Sequence, residues 1–458
     1  MTNGAAEPGP VPPAASPGRA TPRGEEDDGH DGRAGVANLP QRASADDRRK
    51  HGWHLDGGDL FSLCLALALF ATIASDLHTR ALDIAVFRQA AERVFISGTD
   101  PYTRRAGDVL PFTYPPTALF LIYPFSRLDL SASERLVWGL NLLLVPLLML
   151  TLVQDLAEGG RTRRLVRWGP IYIAAYGGVY LTLVFHQINL LILLCLWLFW
   201  RGLRRGQSGY GAGAALALGS VAKPHYAVLL LGTLPRPAPR LLLGAAVVAL
   251  ALVILSLRLA PAGSWGAWLT QIVEATSYSA LPPGHSSIAA PWNRSIAGLV
   301  ARFLVPNKFT EPLVTNPEAA RLLSAALVLA ITAVSAWALV ASMRKRRRDP
   351  AGADPTRIDL ELSVLSVWIF LAAPASWTHH LVMLLPAALV LLRDAVLDPN
   401  EARGSRLTAA LVLAVLALTL DDLVPRELRI ASQAIMSLMT LGVLSLWLLL
   451  VERLHRLA

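Results

Sequence analysis

The chain has 458 residues, of which 53% are hydrophobic and only 16% charged, with a formal net charge of +9. Soluble proteins carry roughly a quarter charged residues, so this composition belongs to a polytopic helical membrane protein. The basic residues sit in short loops between apolar runs, a pattern of membrane orientation that argues against nucleic acid as a partner, and Cys64 and Cys195 lie inside apolar runs, which argues against a disulfide framework or a zinc site.

Residues 1–55 are rich in Pro, Gly, Ala, Arg and acidic residues and have no apolar periodicity, which predicts a disordered tail. Arg48, Arg49 and Lys50 precede the first apolar run and are expected to hold the tail in the cytoplasm; no apolar core of a secretory signal lies near Met1. The remainder, 56–458, reads as one all-α transmembrane bundle. Its first span is Leu60–Ser75. A polar stretch, Asp83–Pro116, follows on the outer side. Asp83, Phe87, Ala90, Ala91 and Val94 recur at helical spacing and predict an amphipathic helix on the membrane surface. Gly98 ends that helix, Asp100-Pro101-Tyr102 reads as a turn, and Tyr114-Pro115-Pro116 stiffens the entry to the next apolar segment. Thr117–Leu128 is only about a dozen residues long and holds Pro124, so it is read as a re-entrant or interfacial helix.

Further spans are predicted near 135–154, 168–185, 188–201, 210–222, 225–234, 241–259, 320–342, 361–376, 380–396, 407–420 and 430–451. Basic clusters recur at alternate connections: Arg161 to Arg167, Arg201 to Arg205, Arg236 and Arg240, Arg344 to Arg348, Arg393 to Arg406, and Arg453 with Arg456. The positive-inside rule then gives about twelve crossings with both termini cytoplasmic, provided 117–128 does not cross. No internal repeat is visible; an inverted repeat would have favoured a transporter.

On this topology the polar residues of distant segments share the outer face. They are Asp83, Asp100 and Tyr102; His186, Gln187 and Asn189; Lys223 and His225; Trp292, Asn293 and Arg294; and Ser376 to His380. This predicts one outward-opening polar cavity lined by a carboxylate, an amine, a guanidinium and two imidazoles, and ionisable groups at bilayer depth usually mark function. Each residue also has a plainer reading. Asp83 could cap its helix or pair with a cation, and Asp76, at the end of the first span, competes with it. Lys223 could snorkel to headgroups. Gln187 and Asn189 could be interhelical hydrogen-bond glue. Trp265, Trp268 and Trp292 could be an aromatic belt. Adjacent His379 and His380 point in different directions on a helix and have no Cys or carboxylate cluster beside them, so no metal is expected.

Several segments together resemble glycosyltransferase family 87, integral-membrane transferases of the GT-C type. They are D-x-x-V-F at Asp83–Phe87, G-x-D-P-Y at Gly98–Tyr102, F-T-Y-P-P at Phe112–Pro116, and H-Q-I-N at His186–Asn189, where the family more often has G-Q-x-N. The others are K-P at Lys223-Pro224, N-R-S-I-x-G-L at Asn293–Leu299 and S-W-T-H-H at Ser376–His380. The resemblance implies a polyprenyl-phosphate-mannose donor, a glycolipid or polysaccharide acceptor on the outer face of the plasma membrane, and no cofactor. It implies Asp83 as general base. It also implies donor-phosphate or substrate contacts among His379, His380, Lys223, Arg294, Asn293, Tyr102, Tyr114 and Gln187, and transfer with inversion to an α-mannoside. A polyprenyl-phosphate-arabinose-dependent arabinofuranosyltransferase is the rival within the class, and a transporter or flippase for a polyprenyl-linked glycan is the rival outside it. A non-catalytic scaffold has no need for buried charge.

Overall fold

A computed structural model describes residues 56–75, 82–157, 163–234, 238–278, 287–348, 354–418 and 433–457, apart from 104, 106, 109, 208, 308 and 310. The tail 1–55, Asp76, Arg161 and Arg236 lie outside the described residues. The described chain is all-helical, with a single isolated β-bridge between Asn293 and Trp377 and no strand.

Helix α1 (Gly57–Ser75) pairs with α4 (Arg163–Ala175), and Arg167 lies 3.5 Å from Asp56 and 3.8 Å from Asp59 where the two helices begin. The amphipathic stretch forms α2 (Leu82–Phe95), which buries Ile84, Val86, Phe87, Ala90, Ala91 and Val94. It stops where Gly98 takes a left-handed conformation (φ 62°), which costs a glycine nothing. The Asp100 carboxylate then accepts from the Thr103 backbone and hydroxyl at 3.1 and 3.0 Å, closing the predicted turn. Residues 116–127 are a broken short helix: a 3₁₀ turn Pro116–Ala118, one α-turn Leu119–Ile122 and a 3₁₀ turn Tyr123–Arg127 packed on α2.

The rest comprises α3 (Leu130–Leu156), α5 (Gly177–Val184), α6 (Asn189–Arg204), α7 (Tyr210–Ser220), a 3₁₀ helix Pro224–Thr233, α8 (Pro239–Leu259), α9 (Ser264–Ala275), α10 (Ile296–Leu304), α11 (Pro317–Arg348) and α12 (Pro355–Ala372). After these come a 3₁₀ helix Thr378–Leu384 running into α13 (Leu385–Leu391) and a π-turn Leu392–Val396, then α14 (Arg403–Ala417) and α15 (Gln433–Leu457). Among the described residues six segments are long and apolar enough to cross a membrane: Gly57–Ser75, Leu130–Leu156, Pro239–Leu259, Pro317–Lys345, Thr378–Val396 and Ile435–Leu457. The protein is therefore a multi-pass membrane protein. The remaining predicted spans are shorter helices or helix pairs, such as α7 with the 3₁₀ helix that follows it.

Two polar clusters sit at opposite ends of the bundle. Asn189, the first residue of α6, donates to the His379 carbonyl, while Arg204, its last, binds Asp359 at 2.7 Å. Sixteen helical residues separate the two ends by about 24 Å. Around Arg204 the fold closes into a buried ion network. Asp359 also holds Arg393 at 2.7 Å and accepts from the Trp200 indole at 2.9 Å. Asp155 holds Arg205 at 2.5 Å and Arg201 at 3.3 Å and accepts from the Trp197 indole at 3.1 Å. The π-turn that carries Arg393 lets it reach Asp359 and Asp394 together. The basic residues read from the sequence as orientation signals are thus half of a network whose carboxylates lie inside the helices, and it ties α3, α6, α12 and the π-turn together.

Candidate active site

At the other end of the bundle the site begins with Asp83, in the first turn of α2. Its carboxyl keeps partial exposure, while its helix buries the adjacent Ile84. Burial of the carboxyl raises it from the ordinary range to about 6; the Gln187 side chain, in hydrogen-bonding reach, and the Lys223 charge both pull it down. Tyr114 closes the relay, its hydroxyl donating to Gln187 Oε1 at 3.2 Å. Burial, and then Asp83, hold the Tyr114 phenol well above its ordinary range.

Tyr114 is held in place by the two preceding motifs. Tyr102 donates to its carbonyl at 2.7 Å, and its ring meets Phe87 edge-on with centroids 5.1 Å apart. Tyr102 and Phe112 pack together behind it at 5.7 Å. Gln187 is 1% exposed, and Asn141, in the middle of α3, donates to its carbonyl at 3.0 Å.

Lys223 comes from the break between α7 and the 3₁₀ helix that Pro224 starts. Its side chain is 5% exposed, and burial brings the ammonium down to about 7 against the opposing pull of Asp83. Its Nζ lies 2.5 Å from His380 Nε2, and an ammonium only donates, so His380 accepts through that nitrogen. The ammonium also sits 5.8 Å from the centre of the Tyr114 ring. His379 meets His380 edge-on at 4.6 Å, and both imidazoles keep partial exposure.

The segment carrying the two histidines is anchored from several sides. Asn189 and Thr182 donate to the His379 carbonyl at 3.3 and 3.5 Å, and Tyr176 donates to the Leu381 carbonyl at 3.0 Å. Gly178 of α5 packs directly on the Leu381–Val382 backbone, where a Cβ would collide. Asn293 uses all its side-chain capacity here. It donates to the Ile288 and Pro374 carbonyls at 2.9 and 3.1 Å and accepts from Ser376 and Ser295 at 3.0 and 3.2 Å. Arg294, 1% exposed, donates to Thr378 Oγ1 at 3.2 Å and to the Met436 carbonyl at 2.7 Å.

The structure therefore brings Asp83, Tyr114, Gln187, Lys223, His379 and His380 together. Tyr102 stands behind Tyr114, and Asn293 and Arg294 stand behind the histidine turn. Sequence reasoning missed Asn141, Thr182 and Tyr176. The Asn inside a membrane-length apolar run was the available signal, since a polar side chain there needs a partner. Among the described residues no group of three His, Cys, Asp or Glu side chains is placed to hold a metal ion.

His186 has φ 52°, a left-handed backbone that is costly for a residue with a Cβ. This explains why glycine suits that position of the motif: the chain must turn left-handed there to aim Gln187 at Asp83.

The model of glycosyltransferase family 87 matches residues 112–357, more than half of the chain. The chain belongs to glycosyltransferase family 87. The matched region holds Tyr114, Gln187, Lys223, Asn293 and Arg294; Asp83 precedes it and His379 and His380 follow it. A relative from Mycobacterium tuberculosis is 28% identical over 333 residues, covering 68% of this chain and 70% of the relative. That relative is named a polyprenol-phosphate-mannose-dependent alpha-(1-2)-phosphatidylinositol mannoside mannosyltransferase. No solved structure matches the chain significantly. Family membership makes the protein a membrane glycosyltransferase, and the cluster around Asp83 is its candidate active site.

Proposed function

We propose that the protein transfers mannose from polyprenyl-phosphate-mannose to a glycolipid or glycan acceptor, with inversion, forming an α-mannoside. The observation that carries this reading is the pairing of a largely buried carboxyl, raised to about 6, with a buried ammonium bonded to an imidazole, the two sides linked through Tyr114 and Gln187. Such a pair suits displacement at an anomeric carbon. Asp83 takes the proton of the acceptor hydroxyl as its oxygen bonds to that carbon. On the opposite side the bond to the phosphate oxygen breaks, and the polyprenyl phosphate departs with the electron pair. Lys223 and His380 face the charge that grows on it, and His379 stands beside them. Gln187 and Tyr114 orient the base. Tyr102, Asn293 and Arg294 act as positioning residues. The polyprenyl chain leaves along the broken helix 116–127.

The topology that fits this reading has about twelve crossings, with both termini in the cytoplasm and the site on the extracytoplasmic face of the plasma membrane. Mannose is favoured over arabinose by the name of the mycobacterial relative. The buried ion network at the end of the bundle opposite Asp83 supports an enzyme over a transporter, which needs access from both sides.

The test is reconstitution of the purified chain in vesicles with radiolabelled polyprenyl-phosphate-mannose and phosphatidylinositol mannoside acceptors. Labelled α-mannoside in the glycolipid fraction is expected. Transfer from polyprenyl-phosphate-arabinose alone would overturn the choice of sugar, and no transfer from either donor would overturn the reading.

A further inference from the structure

A second group of chemistry-bearing side chains lies one residue away from the site described above. Glu134 and Trp138 are one turn apart on α3 and so share a face. The lipid-exposed stripe of α3 runs through Leu136, Leu143 and Leu147, which are 46, 72 and 42% exposed. Glu134 is nine residues before Leu143, which at 3.6 residues per turn places it on the opposite side of the helix, about 180° away. It shares that inward side with the buried Val137, Asn141 and Leu144. Both Glu134 and Trp138 keep partial exposure there. A half-buried carboxylate facing the inside of a membrane bundle is costly to leave without a ligand or a cation. Among the described residues the Glu134 side chain has no hydrogen bond or ion pair; its charge acts on the His186 imidazole, which also meets the Val184 backbone.

His186 completes the cluster. Its ring lies 5.8 Å from that of Trp138, tilted by 42°, and the side chain is 3% exposed. Its Nδ1 is buried without a hydrogen-bond partner among the described residues. The next residue is Gln187, whose side chain reaches Asp83, and consecutive Cα atoms are only about 3.8 Å apart. Carboxylate, indole and imidazole therefore form a cluster joined to the proposed base through the His186-Gln187 bond.

We propose that Glu134, Trp138 and His186 form a saccharide subsite that holds the sugar ring of the acceptor beside Asp83. The chemistry of each group suits a pyranose. The Glu134 carboxylate accepts from two hydroxyls of one ring. The electron-rich face of the Trp138 indole takes the polarised C–H face of the sugar. His186 backs the Trp138 indole. The left-handed turn at His186 then serves two ends, aiming Gln187 at Asp83 and the imidazole at Trp138. This inference rests on the transferase reading above for what the bound sugar does, and on geometry alone for the binding of a sugar.

Two readouts separate the two claims. Binding of methyl α-mannoside to the full chain in nanodiscs is followed by saturation-transfer NMR, without donor. Transfer is followed with polyprenyl-phosphate-mannose and graded acceptor concentrations. The wild-type chain is expected to bind the mannoside. Glu134→Gln and Trp138→Leu are expected to lose it and to raise the acceptor KM at least tenfold, with the donor KM unchanged. Trp138→Phe keeps an aromatic face and is expected to stay within about threefold of wild type. No saccharide binding by the wild type, unchanged binding in both variants, or an equal rise in donor and acceptor KM would overturn the subsite. Binding lost in the variants while no chain transfers mannose would leave the subsite standing and overturn the donor reading.

Discussion

Replacing Gln187 by Met keeps the length of the side chain and removes the amide that reaches Asp83. In the wild type, burial holds the Asp83 carboxyl up at about 6 while Gln187 and Lys223 restrain it. A general base works deprotonated, so on the acid side kcat/KM falls as pH drops through that value, and on the alkaline side it falls as the Lys223 ammonium loses its charge above about 7. At pH 5, a base with a pKa of about 6 is ready in roughly one molecule in eleven. A hydrogen bond to a charged acceptor is worth about 1.5–3 kcal/mol, and water reaching the partly exposed Asp83 restores part of it. A net loss of about 1.4 kcal/mol is one pH unit. Gln187→Met should therefore move the acid limb of the donor kcat/KM profile from near 6 to near 7 and lower its peak, since the base loses a residue that orients it and the limb now meets the fall set by Lys223. The assay is initial-rate transfer in vesicles across that range, with the donor below saturation. An acid limb at the same pH in both chains, or a wild-type limb near 4, would refute the assignment of that limb to a buried Asp83.

Other consequences follow from packing and charge. His380→Ala removes the acceptor of the Lys223 ammonium and should raise the donor KM about tenfold, with the acceptor KM unchanged; a change confined to the acceptor would remove His380 from the leaving-group side. Gly178→Ala drives a Cβ into the Leu381–Val382 backbone and should lower both activity and the melting temperature. Gly139→Ala, with open space around its Cα, should leave activity intact and gain up to about 1 kcal/mol. Asp359→Ala removes the buried carboxylate that Arg204 and Arg393 share and should cost about 3–5 kcal/mol of stability, read as a large fall in melting temperature.

The candidate site was legible because its residues interrupt apolar runs. Gln187, Lys223 and His380 each stand at the end of a run, where an ionisable or amide side chain is conspicuous, and Asp83 opens the polar stretch that follows the first span. That the turns share a face follows from alternation of the basic loops, and the contacts among Gln187, Tyr114, Lys223 and His380 put those turns in one place. What could not be read was which residues face the site and which support it. Asn293 and Arg294 carry a motif as conspicuous as any other, yet their polar atoms serve the histidine turn. The ion network was illegible for a different reason. Asp155 and Asp359 fall within or beside apolar runs, and sequence alone pairs no carboxylate with Arg204 or Arg393. Their neighbouring basic residues therefore read only as orientation signals. The 3₁₀ course of Pro224–Thr233 and Thr378–Leu384 was hidden too, because apolar composition does not distinguish it from an α-helix.

The most direct measurement is transfer by the Asp83→Asn chain beside wild type, with donor binding recorded on the same preparations. The amide keeps the shape and cannot take a proton, so transfer should fall about 10²- to 10⁴-fold while polyprenyl-phosphate-mannose still binds. Turnover by that variant at the wild-type rate would mean that the hydroxyl proton leaves by another route, and the mechanism built on Asp83 would be wrong.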